Sequence, residues 1–459
     1  MSDRFDPVSG EVVPVFFHYA APSVVGMLAA TSAGVIDGIF IGNYVGASAL
    51  AAVNISLPAF YLFAAIVFML GVGGSVMCGK FLGEGDREAA SDIFSRTLYS
   101  AVALACLIAG SSLVFLDQVV WLLGASAELQ PLVHDYMQII LWASPVLIVA
   151  LTLDWFVRVD GRPLLASFAL IMFAVCNITL DWLMIVQWGW GLKGAAWATA
   201  LSEAAILLIL ATHFFSSKRT IRLARVAARW RTGWDSVFRA AGNGFSEFAN
   251  EVSRGLVTLL FNWVMITRMG VPGVAAFTII GYLLMVGIEV CYGIADSLGP
   301  TVSKNLGARQ PDRIVRFTVT AVISSFVVGI AASVLMVFAP DLLISFFLVE
   351  GEEATEVIAL AFIALFWPAF LFNGMNITLA SYFTAMHKPL QSAAIALSRS
   401  LVLPGLGLLL LPRWMGDRGV FLSIPLAEVL TFVFALLLVN QNRPARLVAE
   451  LPPAQSSRK

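Results

Sequence analysis

The sequence consists of long apolar runs separated by short charged clusters. Of its 459 residues, 59% are hydrophobic and only 12% are charged. A bilayer core about 30 Å thick is crossed by a helix of about 20 apolar residues, and the runs here are uninterrupted at that length. Strands of a membrane barrel would instead alternate in polarity at every second residue. The pattern therefore predicts an all-α integral membrane protein.

Twelve such runs can be counted, and one long basic connection, residues 216–239, separates the first six from the last six. We expect two pseudo-symmetric six-helix bundles, with their helices close to residues 13–42, 49–79, 97–116, 132–157, 164–186, 192–215, 240–267, 273–299, 314–339, 357–386, 390–411 and 419–439. The corresponding domains are an N-terminus (1–12), an N-lobe (13–215), the basic linker (216–239), a C-lobe (240–439) and a tail (440–459).

The distribution of basic residues predicts the orientation of these helices. If the termini and every second loop share one side, that side carries 23 of the 28 lysines and arginines. Cytoplasmic loops are enriched in Lys and Arg, so we expect both termini in the cytoplasm and the protein in the cell (inner) membrane. The even number of helices agrees with that orientation.

The two halves of the chain resemble each other. GASALAA at Gly46 is matched by GVPGVAA at Gly270, and KFLG at Lys80 by KNLG at Lys304; GRPLL likewise matches HKPLQ later in the chain. Six helices per half with the same starting side predict parallel repeats. In transporters, repeats of this kind place substrates and coupling ions near the membrane midplane, between bundles that rock.

One carboxylate interrupts the apolar run from Val24 to Gly46. An ionised Asp at this depth, here Asp37, costs roughly 2.5–3.5 kcal/mol on insertion scales and usually marks a functional site. In the fifth predicted helix, Asn177 and Asp181 are spaced i, i+4 and so share one face. Two carboxylates in a low-dielectric pocket cannot both ionise cheaply, which suits a proton carrier. The alternative for Asp37 is a structural residue packed against Asn177.

Several motifs resemble the multidrug and toxic compound extrusion (MATE) family, and the pattern is most similar to its DinF-like branch. They are VIDGIFIG, GASALAA, FLGEGD, RVDGRP, NITLD, GAAWAT, GIADSLGPTVSKNLGA and YFTAMHKP, in this order over residues 12–440. The resemblance implies a twelve-helix, two-lobed antiporter. Such a protein exports amphipathic, often cationic, organic compounds in exchange for protons or sodium.

The resemblance also implies which residues of the N-lobe form the coupling site. They correspond to Asp37, Asn177 and Asp181, with Thr199 in GAAWAT supplying a hydroxyl group. Asp154 stands near a position where some relatives have Asn. It either adds a third acid to this lobe or forms an ordinary i, i+4 pair with Arg158.

The C-lobe has no acid at the repeat position of Asp37, where Phe261 stands, but it has polar helix faces of its own. They carry Glu247, Glu251 and Arg254 on the seventh helix, Glu289 and Asp296 on the eighth, and Asn373 and Asn376 on the tenth. These acids and amides are candidates for cation or substrate binding. A self-neutralising pair between Glu251 and Arg254 is the other interpretation of the seventh helix. Glu203 and Glu428 match between the repeats, and we expect structural roles for both.

The remaining function classes lack their sequence signals. We find no HExxH motif, no Ser–His pairing and no nucleotide loop, and the four cysteines lie singly in apolar runs. We therefore expect no enzyme activity, no metal site, no cofactor and no nucleic-acid partner. The predicted function is proton-coupled export of amphipathic organic cations by a monomer embedded in lipid. Sodium coupling, or flipping of a lipid precursor as in a related family, is the alternative.

Overall fold

The computed structural model describes residues 3–217, 219–223, 234–345 and 353–450, and within these ranges every regular element is helical. The predicted all-α class is confirmed. The helices are α1 (Val12–Phe40), α2 (Ala47–Gly83), α3 (Arg87–Val114), α4 (Leu116–Leu122), α5 (Gln130–Val159), α6 (Pro163–Asp181), α7 (Gly191–Phe215), α8 (Asp235–Asn243), α9 (Phe245–Asp296), α10 (Leu298–Gly307), α11 (Pro311–Phe338), α12 (Pro340–Ser345), α13 (Glu353–Phe366), α14 (Pro368–Ala385), α15 (Pro389–Leu397), α16 (Leu403–Met415), α17 (Asp417–Gln441) and α18 (Pro444–Ala449).

Three short π-helical segments continue long helices. They are Ile41–Val45 after α1, Trp182–Gln187 after α6 and Ser398–Val402 between α15 and α16. π-Helical segments are rare in proteins, and those that occur often lie at functional sites. Each lies close to a buried polar residue that is discussed below.

Ten helical stretches in the described ranges are long and apolar enough to cross a membrane. The pair α13 and α14, which bend by 57° at Trp367, forms an eleventh if it is one span. The remaining predicted helix, the seventh (240–267), corresponds to the first part of α9, which ends at a break at Gly270. There the backbone has φ 67° and ψ −159°, a conformation that glycine adopts without strain from a Cβ atom.

The chain forms two compact units. The first is Ala21–Gly244, and the second combines Met1–Ala20 with Phe245–Lys459. These units reflect contacts within the chain and not membrane boundaries, so the domain ranges expected from the sequence stay a prediction. Phe261, which replaces the acid of the first repeat, is fully buried in the second unit and stacks on Phe277 at a centroid distance of 4.9 Å.

The N-terminal residues pack on the second unit through their backbone. The guanidinium group of Arg313 donates to the carbonyl oxygens of Pro7 (2.7 Å) and Gly10 (2.6 Å), and the Asn305 amide also donates to Pro7 (2.9 Å). These bonds satisfy carbonyl groups that precede α1. They explain why the start of α1 belongs to the second unit.

The short helix α8 packs tightly against α2 within the first unit. A Cβ atom added to Gly73 would lie 1.9 Å from the carbonyl oxygen of Ala240, and one added to Gly244 would lie 2.0 Å from that of Met69. Both contacts join backbone to backbone, so only glycine permits this approach. Small residues allow such close packing between membrane helices.

Candidate coupling site and polar clusters

The structure brings Asp37 of α1 and Asp181, the last residue of α6, together. Their side chains are within hydrogen-bonding reach of each other, and Asp181 is fully buried. Neither oxygen of Asp181 has another hydrogen-bond partner among the described residues. Because carboxylates only accept, a hydrogen bond between the two groups requires one proton. Two adjoining carboxyl groups of this kind can share a proton.

Local helix geometry positions both carboxyl groups. Asp37 lies four residues before the π segment Ile41–Val45, and Asp181 directly precedes the π segment Trp182–Gln187. The two segments contact each other. Nothing in the hydropathy pattern indicated them, because a π segment and an α-helix have the same apolar composition.

Two further residues of this cluster were not among the predicted site residues. Tyr136 of α5 interacts electrostatically with Asp37, Asp181 and Glu203, and Glu203 is 4% exposed. Tyr136 stands at the start of an apolar run, and nothing in the local pattern predicts contacts with acids on other helices. For Glu203, the only sequence signal was its match with Glu428 between the repeats.

The predicted partners Asn177 and Thr199 lie on the helices that carry these acids. Asn177 is buried one turn before Asp181, and Thr199 lies one turn before Glu203 on α7. Helices α6 and α7 pack along their lengths. The two i, i+4 pairs therefore belong to helices that adjoin each other in the first unit.

Asp154 forms an ion pair with Arg158 instead of joining the Asp37 cluster. The Arg158 guanidinium group donates to both carboxylate oxygens, at 2.7 and 3.3 Å, and also to the Ser23 hydroxyl group. Arg158 is 3% exposed. The structure thus places Asp154 in the i, i+4 pair that was the second of its two interpretations.

A second buried ion pair, between Asp160 and His213, was not predicted. The carboxylate of Asp160 lies 2.7 Å from Nε2 of His213, and both side chains are fully buried. The same oxygen accepts from the backbone N–H of Thr220 at 2.9 Å, and Ile221 next to it is fully buried. This pair fixes the residues that follow α7 to the first unit. The two partners are 53 residues apart, so no local spacing could reveal them.

The four predicted acids of the C-lobe gather around arginine. Glu251 pairs with Arg254 at 3.2 Å, and Glu289 also interacts electrostatically with Arg254. Glu247 interacts with both residues of that pair and with Asp296 and Arg399, another guanidinium group. These acids therefore share a site, but Arg254 and Arg399 of the same chain provide positive charge there.

Arg399 is one of the 23 basic residues assigned from the sequence to the cytoplasmic side, and the structure corrects this assignment because the residue is buried. It lies in the π segment Ser398–Val402, inside the candidate span Pro389–Met415, and is 9% exposed. Its guanidinium group donates to the side-chain oxygen of Asn250 at 3.1 Å. One basic residue fewer therefore supports the predicted orientation.

The amides of Asn373 and Asn376 bind a carboxylate of their own unit. They donate to the two carboxylate oxygens of Glu428, at 2.6 and 2.7 Å, and Arg399 lies 3.9 Å from the first of these oxygens. The Glu428 carboxylate thus accepts from two amide groups and lies within ion-pair distance of Arg399. The amide nitrogens of both asparagines are occupied by this carboxylate.

An apolar cavity of about 510 Å³ lies between α2, α3, α4 and α5 in the first unit. Its lining is almost entirely hydrophobic and includes Phe60, Phe63, Met137 and Leu141, with Ser144 among the few polar residues. Ligand pockets typically have volumes of about 300–1,000 Å³. The cavity is large enough for an apolar ring system.

The fold and these clusters define a polytopic membrane protein with buried ionisable residues, a class in which such residues mark ion and substrate pathways. The chain belongs to the MatE family, whose model matches residues 22–183 and 252–407. The predicted family is thereby confirmed.

Relatives and solved structures cover nearly the whole chain. The multidrug export protein MepA of Staphylococcus aureus (strain MSSA476) is 23% identical over 434 residues, which are 94% of each chain. A MOP superfamily transporter from Pyrococcus furiosus superposes with a TM-score of 0.90 and 21% identity, over 98% of this chain and 100% of that one. A MATE crystal structure in complex with MaL6 also gives 0.90, at 22% identity, over 97% of this chain and 99% of that one. At such identities the structures establish the fold.

Proposed function

We propose that the protein is a multidrug exporter that exchanges amphipathic organic cations for protons. The observation that carries the proposal is the contact between Asp37 and Asp181, which is satisfied only when one proton is bound. The relative named a multidrug export protein supports the substrate class. The apolar cavity in the same unit supports binding of lipophilic groups.

Charge balance at the pair Asp37–Asp181 explains how the substrate is exchanged for protons. An uncompensated buried ion costs several kcal/mol, and neither Asp37 nor Asp181 forms an ion pair with a basic residue in the described part of the chain. The fully ionised pair carries two negative charges, and a proton or a monovalent cationic substrate each cancels one of them, so the uptake of protons weakens the attraction for the substrate. Protons that enter from outside displace the substrate there, and proton loss to the cytoplasm restores the site.

We propose protons and not sodium, because a hydrogen bond between two carboxyl groups requires a proton. The acids of the second unit adjoin Arg254 and Arg399, so they offer little free negative charge to a sodium ion. The flippase alternative would call for a basic cavity for a pyrophosphate group, and the cavity of the first unit is apolar. The proposal includes a location in the cell membrane with both termini in the cytoplasm.

Proteoliposomes loaded with ethidium test the proposal. With an imposed pH gradient and no sodium, we expect ethidium transport by the unmodified protein and none by Asp37→Asn, which keeps the volume of the side chain but holds no exchangeable proton. Asp37→Asn should reach the membrane in normal amounts. Transport that requires sodium would overturn the choice of ion, and unchanged transport by Asp37→Asn would overturn the site.

A further inference from the structure

Glu203 is a buried acid that the family resemblance and the proposed pair leave without a function. It lies on the buried face of α7, one turn after Thr199, and is 4% exposed. Its side chain makes no hydrogen bond or ion pair within the part of the chain that the structure describes. A buried carboxylate without compensation costs several kcal/mol, so Glu203 needs either a proton or a cation.

The charged and titratable groups around Glu203 include no available cation. On α5, which packs against α7, Tyr136 interacts electrostatically with Glu203 and also with Asp37 and Asp181. The basic residues of α7 are Lys193 and His213, each ten residues away and so about 15 Å along the helix. Both of them are occupied, Lys193 by Asp135 at 3.1 Å and His213 by an acid at the end of α5.

The basic residues of α5 are His134 and Arg158. His134 lies 3.6 Å from a carboxylate oxygen of Asp117. Arg158 is 22 residues after Tyr136, or about 33 Å along a helix, and it pairs with Asp154. The π segments that adjoin α7, Ile41–Val45 and Trp182–Gln187, contain no acid or base other than the exposed Tyr44. Glu203 therefore shares its surroundings with two carboxyl groups and one phenol.

The repeat-related Glu428 shows what a structural glutamate looks like in this fold. Two asparagine amides donate to its carboxylate, and Arg399 lies 3.9 Å away. Glu203 stands at the matching sequence position and has none of these partners. This difference indicates that a mobile cation, and not a fixed residue of the chain, neutralises the charge of Glu203.

We propose that Glu203 is a third proton-binding carboxyl group of the first unit, coupled through Tyr136 to the pair Asp37–Asp181. The inference rests on the proposed proton exchange and adds one proton-binding group to it. When Glu203 takes up a proton, an O–H bond forms and one negative charge disappears. When it releases the proton, the returning charge is neutralised by the organic cation. The site can thus balance a cationic substrate with more than one proton.

Infrared titration of proteoliposomes tests the proposal without a substrate, because protonated carboxylic acids have a C=O band that carboxylates lack. We expect Glu203→Gln to lose one titrating band and the matched control Glu428→Gln to keep that band. In Asp37→Asn the Glu203 band should titrate at a different pH, because a neighbouring charge is gone. A merely structural glutamate would not respond in this way.

Two further observations separate a failure of the Glu203 inference from misfolding of the variant and from a failure of the proposed function. If Glu203→Gln does not fold, dicyclohexylcarbodiimide, which modifies protonated carboxyl groups in apolar surroundings, should label Glu203 in the unmodified protein and leave Glu428 unlabelled. A titration of Glu203→Gln that equals that of the unmodified protein, or labelling that misses Glu203, overturns the inference. Failure of ethidium transport in a pH gradient would instead overturn the proposed function. The infrared band of Glu203 would still be observed in that case, because it is measured without a substrate.

Discussion

The backbone contact between α2 and α8 makes Gly73→Ala a severe substitution. Its Cβ atom would lie 1.9 Å from the Ala240 carbonyl oxygen, so the helices must separate by about 1.5 Å before the contact is ordinary. A backbone oxygen cannot rotate away as a side chain can. Overpacking costs typically 1–3 kcal/mol and occasionally more, and we expect the upper part of that range. Gly244→Ala meets the Met69 carbonyl oxygen in the same way.

Gly242→Ala is the matched control, because a Cβ atom there meets nothing within 4 Å. Ala is favoured over Gly inside a helix by up to about 1 kcal/mol, so this variant should be as stable as the unmodified protein or more so. Since both glycines are helical, the gain in helix propensity cancels, and the two variants should differ by about 2–3 kcal/mol. Thermal melting of each purified variant, monitored by tryptophan fluorescence, measures their relative stability. Equal melting of Gly73→Ala and Gly242→Ala would refute the packing argument.

Three other expectations follow from the contacts. His213→Ala leaves the buried Asp160 carboxyl group without its imidazole hydrogen-bond partner and should lower the free energy of unfolding by about 1–3 kcal/mol, measured by thermal melting. Exchange of Glu251 and Arg254 for each other should keep transport if the pair only neutralises itself; a folded but inactive protein would instead favour an ion site. Ser144→Trp fills part of the apolar cavity and should raise the ethidium concentration needed for half-maximal transport, with smaller effects on smaller cations.

The sequence predicted the helical class, the two sets of six helices and the importance of Asp37, because these depend on local composition. Apolar length determines a membrane helix, and an isolated Asp stands out within one. The i, i+4 spacing of Asn177 and Asp181 also needs only one helix. The contact between Asp37 and Asp181 was predicted from the resemblance, which carries information about packing that the residues alone do not.

The unpredicted contacts join residues that are distant in the chain. The partners Asp160 and His213 are 53 residues apart, and Asn250 and Arg399 are 149 apart. A basic residue near a helix end looks the same in sequence whether it faces the cytoplasm or turns inward, as Arg399 does. Tertiary packing decides between the two, and hydropathy does not record it.

The candidate-site acids of the two units differ in what neutralises their charge, although the first unit also contains the ion pair Asp154–Arg158. In the second unit, guanidinium groups lie beside the acids: Arg254 pairs with Glu251, and Arg399 approaches Glu428. A fixed guanidinium group cannot leave, so the acids that it neutralises gain nothing from a proton or a substrate cation.

In the first unit, Asp37, Asp181 and Glu203 have no ion pair with any basic residue that the structure describes, and the neutralising charge must come from outside the chain. A binding site in which the counter-charge is mobile is one whose occupancy can follow a gradient. This contrast, more than the number of acids in either unit, favours ion exchange in the first unit. The replacement of the first-helix acid by the buried Phe261 in the second repeat agrees with it.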